Sequence, residues 1–157
     1  MIATATIANG IEGIRALVGT QLGPTEWLEV TQQRVNQFAD ATSDHQWIHV
    51  DVERAQAESP YKSTIAHGYL TMSLVPHFMP QLLEVTGFAM GINYGAERVR
   101  FPAPVPVGSK LRGSLVITEV SEIPGGVQML VTFTIEREDS EKPACVAVLV
   151  LRNYGDA

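Results

Sequence analysis

The second half of the chain carries the clearest polar and apolar patterning. Phe88–Phe101, Ser109–Ile123, Val127–Glu138 and Pro143–Tyr154 are rich in β-branched and aromatic residues that partly alternate with polar ones. Such runs read as long strands with one buried face. Gly125-Gly126 and Asp139-Ser140 supply turns between the last three. Between the first two, residues 101–108 contain Pro102, Pro104 and Pro106, which lack the donor that a central strand needs, so this piece predicts a crossover or an edge.

The first half reads as helices and one strand. Residues 1–9 show no pattern and predict a loose tail, while Ile11, Ile14, Leu17 and Val18 recur at helical spacing ahead of Gly19. Glu26–Val30 alternates and predicts a first strand. Thr31 is suited to cap a helix whose inner face is Val35, Phe38 and Ala39, fading at Thr42-Ser43-Asp44. A loop from Asp44 to Val50 follows, and then Asp51 caps a short helix over Val52–Glu58 that Pro60 stops.

Ser63–Leu83 is the organising segment. Its only ionisable side chains are His67 and His77, and its apolar residues fall on all sides of a helical projection. A helix of that kind must be enclosed. About 20 helical residues span roughly 30 Å, which fits a small domain or a bilayer. His67, Gln81, Pro76 and Pro80 favour enclosure by protein. The prolines predict a helix from about Gly68 to Val75, then a kink or a short second helical piece to about Val85. The order of elements is α+β: an antiparallel sheet wrapped around a long central helix, in one domain spanning 1–157.

Composition narrows the function. The sequence is 45% hydrophobic and 18% charged, which is an ordinary globular balance. A formal net charge of −6 argues against general affinity for nucleic acid or an anionic membrane, so an anionic ligand would need a local basic patch. Lys62, Arg98, Arg100 and Lys110 are the candidates for that patch. Cys145 is the single cysteine, which excludes an internal disulfide and fits a cytoplasmic location. Glu12 and Arg15 interrupt the apolar residues that a signal segment would need.

Asp44 and His49 flank the partly apolar Trp47-Ile48 pair just ahead of the central helix. An ionised Asp and a largely neutral His can share one water, one taking its proton while the other orients it. Gly68, at the helix start, lets another molecule approach an unpaired backbone N–H suited to an acyl oxygen. Together these residues suggest water addition or hydrolysis without a metal. A metal held by His45, His49 and His67 is disfavoured, because helical register between His45 and His49 is doubtful. Thr71 and Ser73 can hydrogen-bond a substrate or bond back to a carbonyl one turn earlier.

Phe38-Ala-Asp-Ala-Thr-Ser-Asp44-His-Gln-Trp-Ile-His49, followed by Ile65-Ala-His67-Gly68, resembles the MaoC-like (R)-specific enoyl-CoA hydratases and dehydratases. Asn93-Tyr94-Gly95 through Arg98-Val-Arg100-Phe-Pro102 adds to the likeness, which spans about residues 20 to 152 and is nearest to the mycobacterial-type single-domain hydratases and nodulation protein N. The resemblance implies a hot-dog fold and a homodimer. It implies that Asp44 and His49 activate the water added to a trans-2-enoyl-CoA, that the Gly68 amide holds the thioester oxygen, and that the product is an (R)-3-hydroxyacyl-CoA. Under it His67, Ser73, Asn93, Arg98, Arg100 and Lys110 are substrate-binding candidates, and the CoA thioester is substrate with no further cofactor. The chain departs from many members in having Gln46-Trp47 where they carry Asn-Pro, and Pro76 where some carry a serine. A hot-dog thioesterase and a non-catalytic subunit of a heteromeric dehydratase remain the competing readings.

Overall fold

Alternation along Gly126–Arg137 puts Val127, Met129, Val131, Phe133 and Ile135 on one face, and all of them are buried. That strand lies at the centre of the larger sheet in the computed structural model, which describes residues 4–156. In chain order the elements are β1 (Thr6–Asn9), α1 (Gly10–Ala16), β2 (Gln21–Leu22), β3 (Leu28–Glu29), α2 (Gln32–Thr42), α3 (Trp47–Val50) and α4 (Val52–Glu58). They continue with α5 (Gly68–Ser73), α6 (Val75–Leu82), β4 (Leu83–Thr86), β5 (Met90–Arg100), β6 (Lys110–Ile123), β7 (Gly126–Arg137) and β8 (Cys145–Tyr154).

The larger sheet runs β2-β6-β7-β8-β5, with β3 also on β6, and every pairing in it is antiparallel. The four long strands fall where the patterning put them. Only β6, β7 and β8 form a meander, because β5 pairs with β8 at the opposite edge. The proline-rich stretch between β5 and β6 is therefore a true crossover. It touches the rest of the chain through an isolated bridge from Ile65 to Pro106.

The central helix lies against this sheet. Phe78 of α6 and Phe133 of β7 are both fully buried. Gly113 of β6 makes their approach possible, since a Cβ there would sit 2.8 Å from the Phe133 ring and 2.9 Å from Phe78 Cβ. The helix is broken between Ser73 and Val75, ahead of Pro76, which falls in the first turn of α6, where a missing donor costs nothing; Pro80 lies inside α6.

Five expectations need correction. The tail is ordered in part: residues 1–3 lie outside the described residues, but Thr6–Asn9 pairs in parallel with Leu83–Thr86. That pairing ends α6 at Leu82 rather than near Val85, and β1 together with Gln21–Leu22 makes Leu28–Glu29 the third strand rather than the first. The Asp44–Val50 loop contains the short helix α3. The central helix is also not enclosed on every side within one chain, because Tyr69, Ser73, Pro76, His77 and Pro80 are exposed.

Candidate active site

Two capped helices frame the site. The Thr31 side chain accepts a hydrogen bond from Arg34 N–H at the start of α2, and the Asp51 side chain accepts one from Arg54 N–H at the start of α4. Ser43 ends α2 in the left-handed region (φ 60°), turning the chain sharply into Asp44. The Asp44 Oδ1 then accepts from the Gln46 N–H at 3.3 Å, which fixes the carboxylate over the start of α3. Trp47 packs its ring beneath the Arg54 guanidinium at 4.3 Å.

Asp44, His49 and His67 converge. One carboxylate oxygen and one ring nitrogen from each histidine lie within 4.8 Å of one another. The His49 Nδ1 is 2.7 Å from the Ile65 carbonyl. A carbonyl can only accept, so Nδ1 carries the proton and the neutral ring keeps its lone pair on Nε2. His67 Nε2 likewise donates to the Asp44 carbonyl at 3.0 Å, leaving Nδ1 buried and unpartnered. The two imidazoles stack, with centroids 3.8 Å apart and planes inclined by 22°. Their in-plane lone pairs therefore lie in two nearly parallel layers.

His49 is buried, whereas Asp44 is about half exposed and opens the cluster to solvent. Burial lowers the His49 pKa below the usual 6.5. The Ile65 carbonyl opposes that shift, neighbouring His67 adds to it, and Asp44 opposes it. The imidazole is accordingly neutral near pH 7 and able to accept a proton.

Gly68 opens α5, where backbone N–H groups have no partner within the helix. A Cβ there would sit 3.0 Å from the Phe101 ring, so any side chain would have to push that ring aside. Gly68, Phe101 and Tyr61 line a cavity of about 370 Å³. The Ser73 hydroxyl donates to the Tyr69 carbonyl at 2.6 Å, the backbone bonding already open to it, and Thr71 reaches the His67 carbonyl at 3.5 Å. Ser73 and Asn93 share a separate apolar groove of about 620 Å³ with Tyr69, Met72 and Met79.

The basic candidates are dispersed. Lys110 pairs with Glu138 at 3.7 Å, and three inter-strand steps (about 14 Å) separate β6 from Arg98 and Arg100 on β5. Arg100 donates to the Val99 carbonyl, and Lys62 to the Ala57 carbonyl. His67 lies against His49 as part of the cluster itself. Sequence reasoning missed Phe101 over Gly68, as well as the Ile65 carbonyl that sets the His49 tautomer.

A family model described as "MaoC like domain" matches residues 14–138. The chain belongs to the MaoC-like dehydratase family. It is 48% identical over 145 residues to 3-hydroxyacyl-thioester dehydratase Z of Mycobacterium tuberculosis, covering 92% of this chain and 95% of that one. Nodulation protein N of Rhizobium leguminosarum bv. viciae is 47% identical over 137 residues, covering 83% of this chain and 82% of the relative. Among solved structures, the R-hydratase PhaJ1 of Pseudomonas aeruginosa superposes with a TM-score of 0.67 at 23% identity, covering 88% of this chain and 83% of the other. The last likeness shows the hot-dog fold, and the matched segment contains Asp44, His49 and Gly68.

Proposed function

We propose that this MaoC-like protein hydrates trans-2-enoyl-CoA thioesters to (R)-3-hydroxyacyl-CoA and catalyses the reverse dehydration. The observation that carries the reading is the convergence of Asp44 with a His49 whose lone pair is left on Nε2 and whose burial keeps it neutral. A carboxylate oxygen of Asp44 and a ring nitrogen of His49 within 4.8 Å of one another are close enough for one water to bridge the two side chains. Asp44 orients the water, His49 takes a proton from it as its oxygen bonds to C3, and the resulting imidazolium returns that same proton at C2. The Gly68 N–H receives the thioester oxygen as the enolate charge develops, a contact worth roughly 2.7–4 kcal/mol at comparable sites. In dehydration the same groups act in reverse order. The CoA thioester is the substrate, and the reaction as written balances with water alone.

The (R) product and the CoA carrier rest on the family resemblance, as does the homodimer. Met90, Ile92 and Tyr94 on the outer strand β5 are exposed apolar side chains of the kind that a second copy covers. No helix among the described residues is long and apolar enough to cross a membrane. A cytoplasmic location remains the expectation drawn from the lone buried Cys145.

The test offers the protein a short trans-2-enoyl-CoA and follows the conjugated-thioester absorbance beside free thiol. Loss of absorbance with no thiol release, giving the (R)-hydroxy product on chiral analysis, supports hydration. Release of CoA instead assigns the site to thioester hydrolysis. Activity that appears only after adding a second subunit would make this chain half of a heteromeric dehydratase.

A further inference from the structure

Gln32 stands at the first position of α2, where a polar side chain would ordinarily be solvated, yet its amide is directed inward. Its Nε2 donates to the His49 carbonyl at 2.8 Å and to Asn36 Oδ1 at 2.9 Å. Its Oε1 accepts from the hydroxyl of Thr64 at 2.6 Å, and Thr64 is 97% buried (3% exposed). The orientation of the amide is forced, because the His49 carbonyl can face only the NH₂ end.

These bonds close a ring around His49. Its carbonyl is tied through Gln32 to Thr64, and its Nδ1 is tied directly to the Ile65 carbonyl at 2.7 Å. Ile65 N–H returns to the Ile48 carbonyl at 3.0 Å, and the Thr64 carbonyl is anchored by Val107 N–H at 2.9 Å. Without Gln32, α3 keeps few ties of its own: four residues long, it has the bonds from His49 N–H to the Gln46 carbonyl and from Asp51 N–H to the Trp47 carbonyl. A helix that short does not hold its own shape in water.

We propose that Gln32, set by the Thr64 hydroxyl, is a positioning residue that fixes the backbone of His49 and so aims its Nε2 at the point shared with Asp44. The proposal rests on the hydratase reading. Gln32 acts only through His49, and a small misplacement of a reacting group is enough to cost roughly 10- to 100-fold in rate.

The experiment measures kcat, KM and the pH profile of hydration of a short trans-2-enoyl-CoA by the full chain. Gln32→Met and Thr64→Val should lose roughly 10- to 100-fold in kcat with KM changed less than about twofold, since they disturb the transition state rather than binding. Thr64→Ser keeps the hydroxyl and should stay near the wild-type rate. Gln32→Glu places a carboxylate by His49, which favours the imidazolium and should move the acid limb of kcat/KM to higher pH. Wild-type kcat in Gln32→Met and Thr64→Val overturns the proposal, and so does a Thr64→Ser variant as damaged as Thr64→Val. If Gln32→Met does not fold, the Thr64 pair and Gln32→Glu decide the matter. His49→Ala in the same assay separates the two levels. If it is inactive while Gln32→Met and Thr64→Val are normal, only the positioning role falls; if it is fully active, the hydratase reading and the positioning role fall together.

Discussion

Gly113→Ala tests the closest approach of the central helix to its sheet. The new methyl would lie 2.8 Å and 3.0 Å from two carbons of the Phe133 ring and 2.9 Å from Phe78 Cβ. An ordinary carbon–carbon contact is about 3.5–4.0 Å, so each neighbour must give nearly an ångström. Neither can do so easily, because Phe78 and Phe133 are both 0% exposed and closely packed. Overpacking of this kind costs typically about 1–3 kcal/mol, and reduced chain entropy on replacing glycine returns about 0.4–1 kcal/mol. A net loss of about 1–2 kcal/mol follows, or roughly 2–8 °C in Tm for a chain of this length. Urea titration followed by tryptophan fluorescence reads the change, because Trp27 lies beneath Arg112, the neighbour of Gly113. In a Phe133→Leu background, where the ring is gone, the same substitution should cost at least about 0.5 kcal/mol less. Unchanged or increased stability in the Gly113→Ala single variant would refute the packing argument, as would equal costs in the two backgrounds.

Two further predictions concern buried groups. The folded-state pKa of His49 is lowered, so the native protein binds fewer protons there than the unfolded chain does. The stability that neutral His49 secures is fully present above the unfolded value of about 6.5 and is lost as pH falls from there through the lowered folded value. Urea midpoints between about pH 7.5 and about pH 4.5, either side of the ordinary histidine value, should therefore drop more steeply for the wild type than for His49→Gln; parallel curves would show that His49 contributes nothing to the pH dependence. Cys145 is 1% exposed and burial raises its thiol pKa to about 11, so a thiol reagent at mildly alkaline pH should label it only on unfolding. Rapid labelling of the native protein would show that β8 opens locally.

Much of this architecture is legible in the sequence, and the gaps have physical causes. The long strands and the caps at Thr31 and Asp51 are local features, since alternation and a hydroxyl or carboxylate beside a helix start need no distant partner. The parallel β1–β4 pair was invisible because Thr6–Asn9 buries only Ala8, and its partner Leu83–Thr86 continues an apolar run that reads as helix. The position of β5 across the sheet is a matter of topology, which strand patterning does not encode. The central helix reads as apolar on every side, yet one side stays open in the single chain, at Tyr69, Ser73 and Pro76.

The site divides in the same way. Asp44 and His49 were visible because a short loop carries both. Gln32 and Thr64 were not, since a glutamine at a helix start looks solvated and its partner lies 32 residues away. The spread of the basic candidates was hidden for a related reason: charge counts along the chain do not show that Lys110 pairs with Glu138.

The most direct test of the shared-water site is a set of three variants, Asp44→Asn, His49→Ala and the double substitution, each shown to be folded and then assayed for enoyl-CoA hydration. Each single variant should lose roughly 10²–10⁴-fold in kcat. The double variant should be little worse than the poorer single, since the two groups work on one water as a unit. Near wild-type turnover in both single variants, or losses that simply multiply in the double, would contradict it.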